Sequence, residues 1–319
     1  MMYPMRLIPP CKDYLWGGNR LRTEFGKQSE QDKIAESWEL ACHPDGTSII
    51  ANGDAAGTPL QAWLDITGKS ALGTRGAAFD RFPVLIKLID ALDNLSVQVH
   101  PDDAYALRVE GEYGKTEVWY IVDCEPGASL LYGFTHPISQ AEFRQRIAEN
   151  TLLEVARRMP VKPGDIFFIE AGTLHAIGAG ILIAEIQQNS NTTYRVYDYG
   201  RVGADGKPRA LHIDKAAEVT TLAPAPAYPQ AAPIRQDGYI ETAIASCSYF
   251  QTARLDILSH ANLCADEASF RHLLVLGGSA MLTAGSDTLP LKKGDSIFLP
   301  AGLGDFSIQG TCQLILTMV

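Results

Sequence analysis

Three short stretches of the sequence carry residue types that hold cations or move protons. The first is Ser96-Val97-Gln98-Val99-His100. Alternate residues of a strand share a face, so Ser96, Gln98 and His100 point one way and Leu95, Val97 and Val99 the other. With the apolar side packed on the protein, Gln98 and His100 offer two donor atoms to one cavity. An ordinary amphipathic strand with its polar face in water fits the same pattern. The second stretch is Glu117, which opens the apolar run VWYIVD (118–123), and the third is His175, just past the tight turn Gly172-Thr173-Leu174. Together Gln98, His100, Glu117 and His175 form a divalent-cation set without thiolate. Such nitrogen and oxygen donors suit Zn²⁺, with Fe²⁺ and Mn²⁺ as the other candidates. Two further charges stand in apolar runs. Lys87, within VLIKLI (84–89), is costly unless it faces a polar cavity or an anion, or snorkels from an edge strand. Glu185, within ILIAEI (181–186), is expected to have its pKa raised by burial toward the range of a general acid or base.

The elements that would position these groups read mostly as strands. FPVLIKLI (82–89), LSVQVH (95–100), VWYIVD (118–123), IFFIEA (166–171) and ILIAEI (181–186) are short, apolar and bounded by turn residues. Helical signals are fewer. Thr58-Pro59 before LQAWLDI reads as an N-cap with proline at the first helical position. Ser139-x-x-Glu142 is a capping box, and Thr151-x-x-Glu154 a second, shorter one. A small helical insertion is therefore predicted over about 137–160. The Pro/Ala-rich stretch 222–236 reads as an extended linker, and Asp205-Gly206 as a turn. One internal repeat relates the two halves. Lys162-x-Gly164-Asp165 and Ala171-Gly172 recur as Lys292-x-Gly294-Asp295 and Ala301-Gly302 at a constant offset of 130, which sets His175 against Asp305.

The chain has 319 residues, with 27 Lys+Arg against 37 Asp+Glu and a net charge of −10. An apolar fraction of 46% with 20% charged residues is that of a globular protein, and the length allows about two domains. No basic footprint for nucleic acid is visible, and no Lys/Arg-rich amphipathic helix or membrane-length apolar run. The N-terminus lacks the apolar region of a signal peptide. The six cysteines are scattered without a C-x-x-C pair, which predicts reduced thiols and a cytoplasmic protein. The expected partner is a small molecule, and the expected state a monomer or weak homo-oligomer. His43, His136, His212, His260 and His272 have no partner spacing and read as structural or surface residues. Trp38 reads as a core residue, with Glu36 and Glu39 unassigned.

The Pro163-Gly164-Asp165 turn, strand and Ala171-Gly172-Thr173-x-His175 pattern resembles the second motif of cupin jelly rolls. Longer strings resemble the type I mannose-6-phosphate isomerase (phosphomannose isomerase) family in its short form. They are Tyr14-Leu15-Trp16-Gly17-Gly18, Glu36-Ser37-Trp38-Glu39-Leu40, Leu95 through Asp103, Gly114 through Tyr120, Ala171 through Ala176, Glu185 through Asp198, and Arg209-x-Leu211-His212-Ile213. They run in family order over roughly 5–220.

The resemblance implies a mainly β fold of two cupin-type jelly-roll barrels with a small helical insertion. Residues 1–221 would form the catalytic domain, 222–236 the linker, and 237–319 a degenerate barrel without a metal site. Gln98, His100, Glu117 and His175 correspond to the ligands of one Zn²⁺ per chain. Arg195 corresponds to the catalytic arginine, and Trp16, Lys87, Ser96, Lys115 and Glu185 to residues lining the pocket for a sugar phosphate. The implied reaction interconverts mannose 6-phosphate and fructose 6-phosphate. It moves a proton between C2 and C1 through a cis-enediol(ate), with Glu185 or Lys115 handling the proton. The alternatives are a non-catalytic bicupin that binds a sugar phosphate, and an Fe²⁺ dioxygenase, against which Gln98 counts in a position usually held by histidine. One departure stands out: long-form members carry His-Lys-Pro-Glu where this chain has Gly114-Lys115-Thr116-Glu117.

Overall fold

Two antiparallel sheets face each other across the site-bearing part of the chain. The structure is a computed structural model that describes residues 2–202 and 206–319, so the predicted Asp205-Gly206 turn lies partly outside the described residues. The six-stranded sheet runs Ile166–Ile169, Glu117–Cys124, Ile181–Gln188, Val84–Ala91, Glu36–Leu40 and Cys11–Lys12. The five-stranded sheet runs Ala156–Pro160, Ser129–Phe134, His175–Ala176, Val97–Val99 and Tyr194–Tyr197. Each predicted strand run is found in one of them.

Burial explains why the central strands read as unbroken apolar runs. The inner face of the six-stranded sheet supplies Ile89, Trp119, Ile121 and Ile183 to a core shared with Leu130 and Tyr132 of the five-stranded sheet. Its outer face, with Ile86, Leu88, Val118 and Ile186, packs on Phe250, Phe270, Phe298 and Ile315 of the C-terminal region. Both faces are covered, so polar alternation is lost. The five-stranded sheet keeps its alternation. Val97 and Val99 pack outward on Phe143 and Ile147 of the helix Gln140–Ala148 and on Ala216 and Ala217 of Ile213–Val219. Each such valine contributes about 1.5–3 kcal/mol of burial and fixes which way Gln98 faces.

The helical expectations need three corrections. The helix Leu60–Thr67 has Pro59 itself at the cap position, one residue later than expected. Ser139 Oγ caps its helix by accepting from the Glu142 amide at 3.1 Å, but the Glu142 carboxylate accepts from Arg146 rather than closing a box. Thr151 caps nothing: Leu152–Glu154 is a single 3₁₀ turn, and Ala156–Pro160 is already strand. A further helix, Asp103–Val109, was not foreseen, although Asp102 caps it by accepting from the Tyr105 amide.

The repeat is real at the level of hydrogen bonds. Lys162 N donates to Asp165 Oδ2 at 2.9 Å, and Lys292 N to Asp295 Oδ2 at 2.8 Å. Gly164 and Gly294 both take positive φ, 92° and 90°, which glycine adopts without Cβ strain. The correspondence shifts after Gly302. Asp305 pairs with Cys264 as His175 pairs with Gln98, yet Asp305 is exposed while Phe306 and Ile308 fill the C-terminal core. A one-residue change of facing puts apolar side chains where the first barrel has ligands.

Two features tie the halves together. The N-terminal strand Met5–Ile8 pairs with Ser296–Leu299 through Met5 and Arg6 and with Ile49–Ile50 through Leu7 and Ile8, so it bridges the C-terminal sheet and the region that follows it in sequence. The stretch 222–236 is a fastened strap. Tyr132 Oη donates to Pro226 O, Tyr228 stacks on Phe168 with centroids 5.1 Å apart, and Ile234–Arg235 adds a short edge strand.

Candidate active site

Both sheets contribute to one cluster at the end of the core. Gln98 lies opposite His175 on paired strands of the five-stranded sheet, and Glu117 opens a strand of the six-stranded sheet. His100 follows Val97–Val99 directly. The nearest donor atoms of His100, Glu117 and His175 all lie within 4.8 Å of one another, and all three residues are fully buried. His100 Nδ1 donates to Thr192 O at 2.9 Å and His175 Nδ1 to Thr173 O at 2.8 Å. A carbonyl only accepts, so each ring keeps its proton on Nδ1 and turns an Nε2 lone pair inward.

Those lone pairs ask for a cation. The two Nε2 atoms are 3.1 Å apart, and the Gln98 amide lies 3.4 Å from His175 Nε2. The buried Glu117 oxygens have no well-aligned hydrogen-bond donor. Burial, reinforced by the charge of Glu185, pushes the Glu117 carboxyl up to about 7, so it needs a positive neighbour to stay ionised. Burial and the Lys115 charge hold both imidazoles neutral, His175 at about 3 and His100 well below its ordinary value. Three lone-pair donors and an amide converging in a dry site fit a divalent metal ion. Lys115 Nζ is the cation on hand, 2.7 Å from Glu117 Oε2 and 3.1 Å from His100 Nε2.

A pocket of about 270 Å³ opens beside this cluster. Trp16, Lys87, Ser96, Gln98, Lys115, Glu185 and Arg195, all singled out in the sequence, line it. Lys87 Nζ is 3.1 Å from Glu185 Oε1 and 5.3 Å from the Trp38 ring centroid. Burial would lower the Lys87 pKa, but Glu36, Glu185 and Glu117 reverse the sign and keep it protonated. Arg195 faces the pocket from the strand Tyr194–Tyr197, its Nε donating to Ser96 Oγ at 3.2 Å and its Nη1 to Ala210 O at 3.0 Å.

The expectation for Glu185 is overturned. Burial does raise its pKa, but Lys115 and Lys87, with hydrogen bonds from Lys87 and Trp119 Nε1, outweigh burial and hold it down to about 2. In sequence Glu185 stands as a lone carboxylate in an apolar run, whereas in the fold Lys115 and Lys87 supply its counter-charge.

Two charged lining residues were missed. Glu36 accepts from Trp38 Nε1 at 2.7 Å and lies 3.7 Å from Lys87 Nζ, a role that alternation from Trp38 would have suggested. Arg209 reaches the pocket held by the buried Asp198, which also binds Arg201. Its signal was the Arg209-x-Leu211-His212 string, quoted without a role. Gly114 explains the departure from the long-form pattern: a Cβ there would come within 2.4 Å of the Asp102 carbonyl carbon, so no side chain fits without moving the backbone.

Comparison with known proteins agrees with this geometry. The profile of the phosphomannose isomerase type I catalytic domain matches residues 5–117, and that of the mannose-6-phosphate isomerase cupin domain matches 239–319. The mannose-6-phosphate isomerase of Streptococcus mutans is 39% identical over 99% of this chain and 98% of its own. One from Bacillus subtilis is 38% identical over 98% of each. The crystal structure of a Bacillus subtilis mannose 6-phosphate isomerase superposes with a TM-score of 0.93 at 39% identity, covering 99% of both chains. The chain is therefore a member of the type I mannose-6-phosphate isomerase family, aldose–ketose isomerases built on cupin barrels.

Proposed function

We propose that this chain interconverts mannose 6-phosphate and fructose 6-phosphate by proton transfer between C2 and C1 through a cis-enediol(ate). One Zn²⁺ per chain would be held by Gln98, His100, Glu117 and His175. The observation that carries the reading is the convergence of buried lone pairs beside a pocket lined with cations, in a chain similar over its full length to enzymes of that name. The non-catalytic alternative is less well supported, because a mere binder has no need for a buried lysine, Lys115, set between Glu117 and Glu185 beside the ligands.

When bound, Zn²⁺ would polarise the sugar carbonyl and favour charge developing on O1 and O2. Arg195, always charged, would meet the phosphate or the developing oxyanion from the opposite sheet, oriented by Ser96. Lys87 would add a fixed positive charge, and Trp16 an apolar wall. For the proton itself Lys115 is the stronger candidate. The Glu185 carboxylate is committed to Lys87 and Trp119, and at about 2 it accepts a proton poorly near neutrality. Glu185 would serve as counter-charge.

Residues 1–221 would then form the catalytic unit, 222–236 its strap and 237–319 the degenerate barrel, with Met5–Ile8 bridging the first and the last. No helix among the described residues is long and apolar enough to cross a membrane. The free thiols and the substrate class favour the cytoplasm, with the chain a monomer or weak homo-oligomer.

A coupled assay of mannose 6-phosphate conversion tests the reading. Activity is expected to vanish on chelation and return with Zn²⁺. Full activity after verified metal removal would sink the metal-dependent mechanism. Lys115→Met is expected to lower kcat more than Glu185→Gln does; the reverse order would reassign the base.

A further inference from the structure

The Thr192 carbonyl that orients His100 belongs to a loop held from outside the substrate pocket. Residues 190–192 lie in the loop 189–193 that joins the strands Ile181–Gln188 and Tyr194–Tyr197. Three donors of this loop converge on one oxygen, Glu112 Oε2: Thr192 Oγ1 at 3.0 Å, the Asn191 amide at 3.3 Å and Ser190 Oγ at 3.4 Å. The other carboxylate oxygen is held as well. His43 Nδ1 accepts from the Asp45 amide at 3.1 Å, so its proton is on Nε2, which lies 3.3 Å from Glu112 Oε1. His43 is itself fixed edge-on against Trp38, with centroids 5.9 Å apart.

Glu112 does not line the substrate pocket. It lies in the wall of a separate cavity of about 580 Å³, with His43 and Asn189 beside it and Leu64, Leu72 and Phe82 among the other lining residues. The carboxylate thus bears on the metal cluster from behind. It fixes Thr192, the Thr192 carbonyl fixes the Nδ1–H tautomer and the ring plane of His100, and the ring plane aims Nε2 at His175 and Glu117.

We infer that Glu112 is a positioning residue for the metal centre, acting through residues 190–192 on His100. This rests on the metal-dependent reading proposed above. Outer-shell partners of metal-bound histidines typically govern metal affinity by about 10–100-fold. Glu112 stands one bond chain farther out, so the lower end of that range applies.

The test is Zn²⁺ affinity, measured on the full chain by competition with a chromogenic chelator. The variants are Glu112→Ala, Thr192→Val and, as a control on the rim of the same cavity, Asp65→Asn. Glu112→Ala is expected to weaken Zn²⁺ binding about tenfold, and Thr192→Val less, in the same direction. The double variant should be no weaker than Glu112→Ala alone, and Asp65→Asn should match wild type. Excess Zn²⁺ should restore most of the kcat of Glu112→Ala, which a purely structural defect would not allow. If Glu112→Ala does not fold, Thr192→Val decides by itself. Wild-type Zn²⁺ affinity in the folded variants would overturn this inference alone. Absence of Zn²⁺ binding by the wild-type chain would overturn it together with the metal-dependent reading.

Discussion

Lys87 and Glu185 are register partners on adjacent central strands, their charged atoms 3.1 Å apart and their side chains almost completely buried. Each is the one charge near the middle of an otherwise apolar run, and the two runs meet where the charges stand. Removing Lys87 leaves the buried Glu185 with only Lys115, 3.9 Å away, and Trp119 Nε1, so a large part of the about 3–5 kcal/mol typical of a broken buried pair is expected, whereas replacing both together is far milder. Lys87→Met is therefore expected to be strongly destabilised in denaturant titrations. Lys87→Met with Glu185→Gln should recover at least half of the loss. Additive losses would show that the two charges do not sense each other.

Arg195 joins its fork to Ser96 Oγ and Ala210 O while facing the pocket. A lysine keeps the charge but not the planar fork. Arg195→Lys should lower kcat/KM for mannose 6-phosphate about 10²-fold, the scale of one misplaced charge-assisted contact. Ser96→Ala should cost less and raise KM more than it lowers kcat. Near wild-type turnover by Arg195→Lys would remove the residue from the reaction.

His272 is fully buried in the C-terminal barrel, its Nε2 donating to Ser296 Oγ at 2.8 Å and its Nδ1 without a partner. Burial, aided by Lys27, holds its pKa down at about 3. Above about pH 6.5 the ring is neutral folded or unfolded. As pH falls from there toward 3, only the unfolded chain takes the proton, so stability falls by about 1.4 kcal/mol per unit. His272→Gln, which keeps a donor for Ser296, should be less stable at pH 7.5 but lose stability less steeply between pH 6.5 and 5. Parallel slopes for the two proteins would mean that His272 does not titrate in this window.

The strands and the residues that converge on the candidate site were legible because they rest on local signals. Alternation put Gln98 and His100 on one face, and charges interrupting apolar runs exposed Lys87 and Glu185. What could not be read depends on partners distant in sequence. The Glu185 pKa has the wrong sign without Lys115, Lys87 and Trp119, all far from it in sequence. Asp305 aligned with His175 by offset, but a shift of one residue in facing is invisible when both neighbours tolerate a strand. The linker reading of 222–236 rests on proline content, and composition says nothing of Tyr228 stacking on Phe168.

The pairing of Met5–Ile8 with Ser296–Leu299 also governs the order of assembly. Leu7 and Ile8 find their partners early, in Ile49–Ile50, but Met5 and Arg6 must wait for a strand far later in the sequence, so these sheet contacts close late. Such long-range closure slows folding and keeps an apolar edge uncovered in the meantime. A tag or fusion at the N-terminus would therefore burden the step that seals the C-terminal barrel, although the substrate pocket lies in the other half of the molecule.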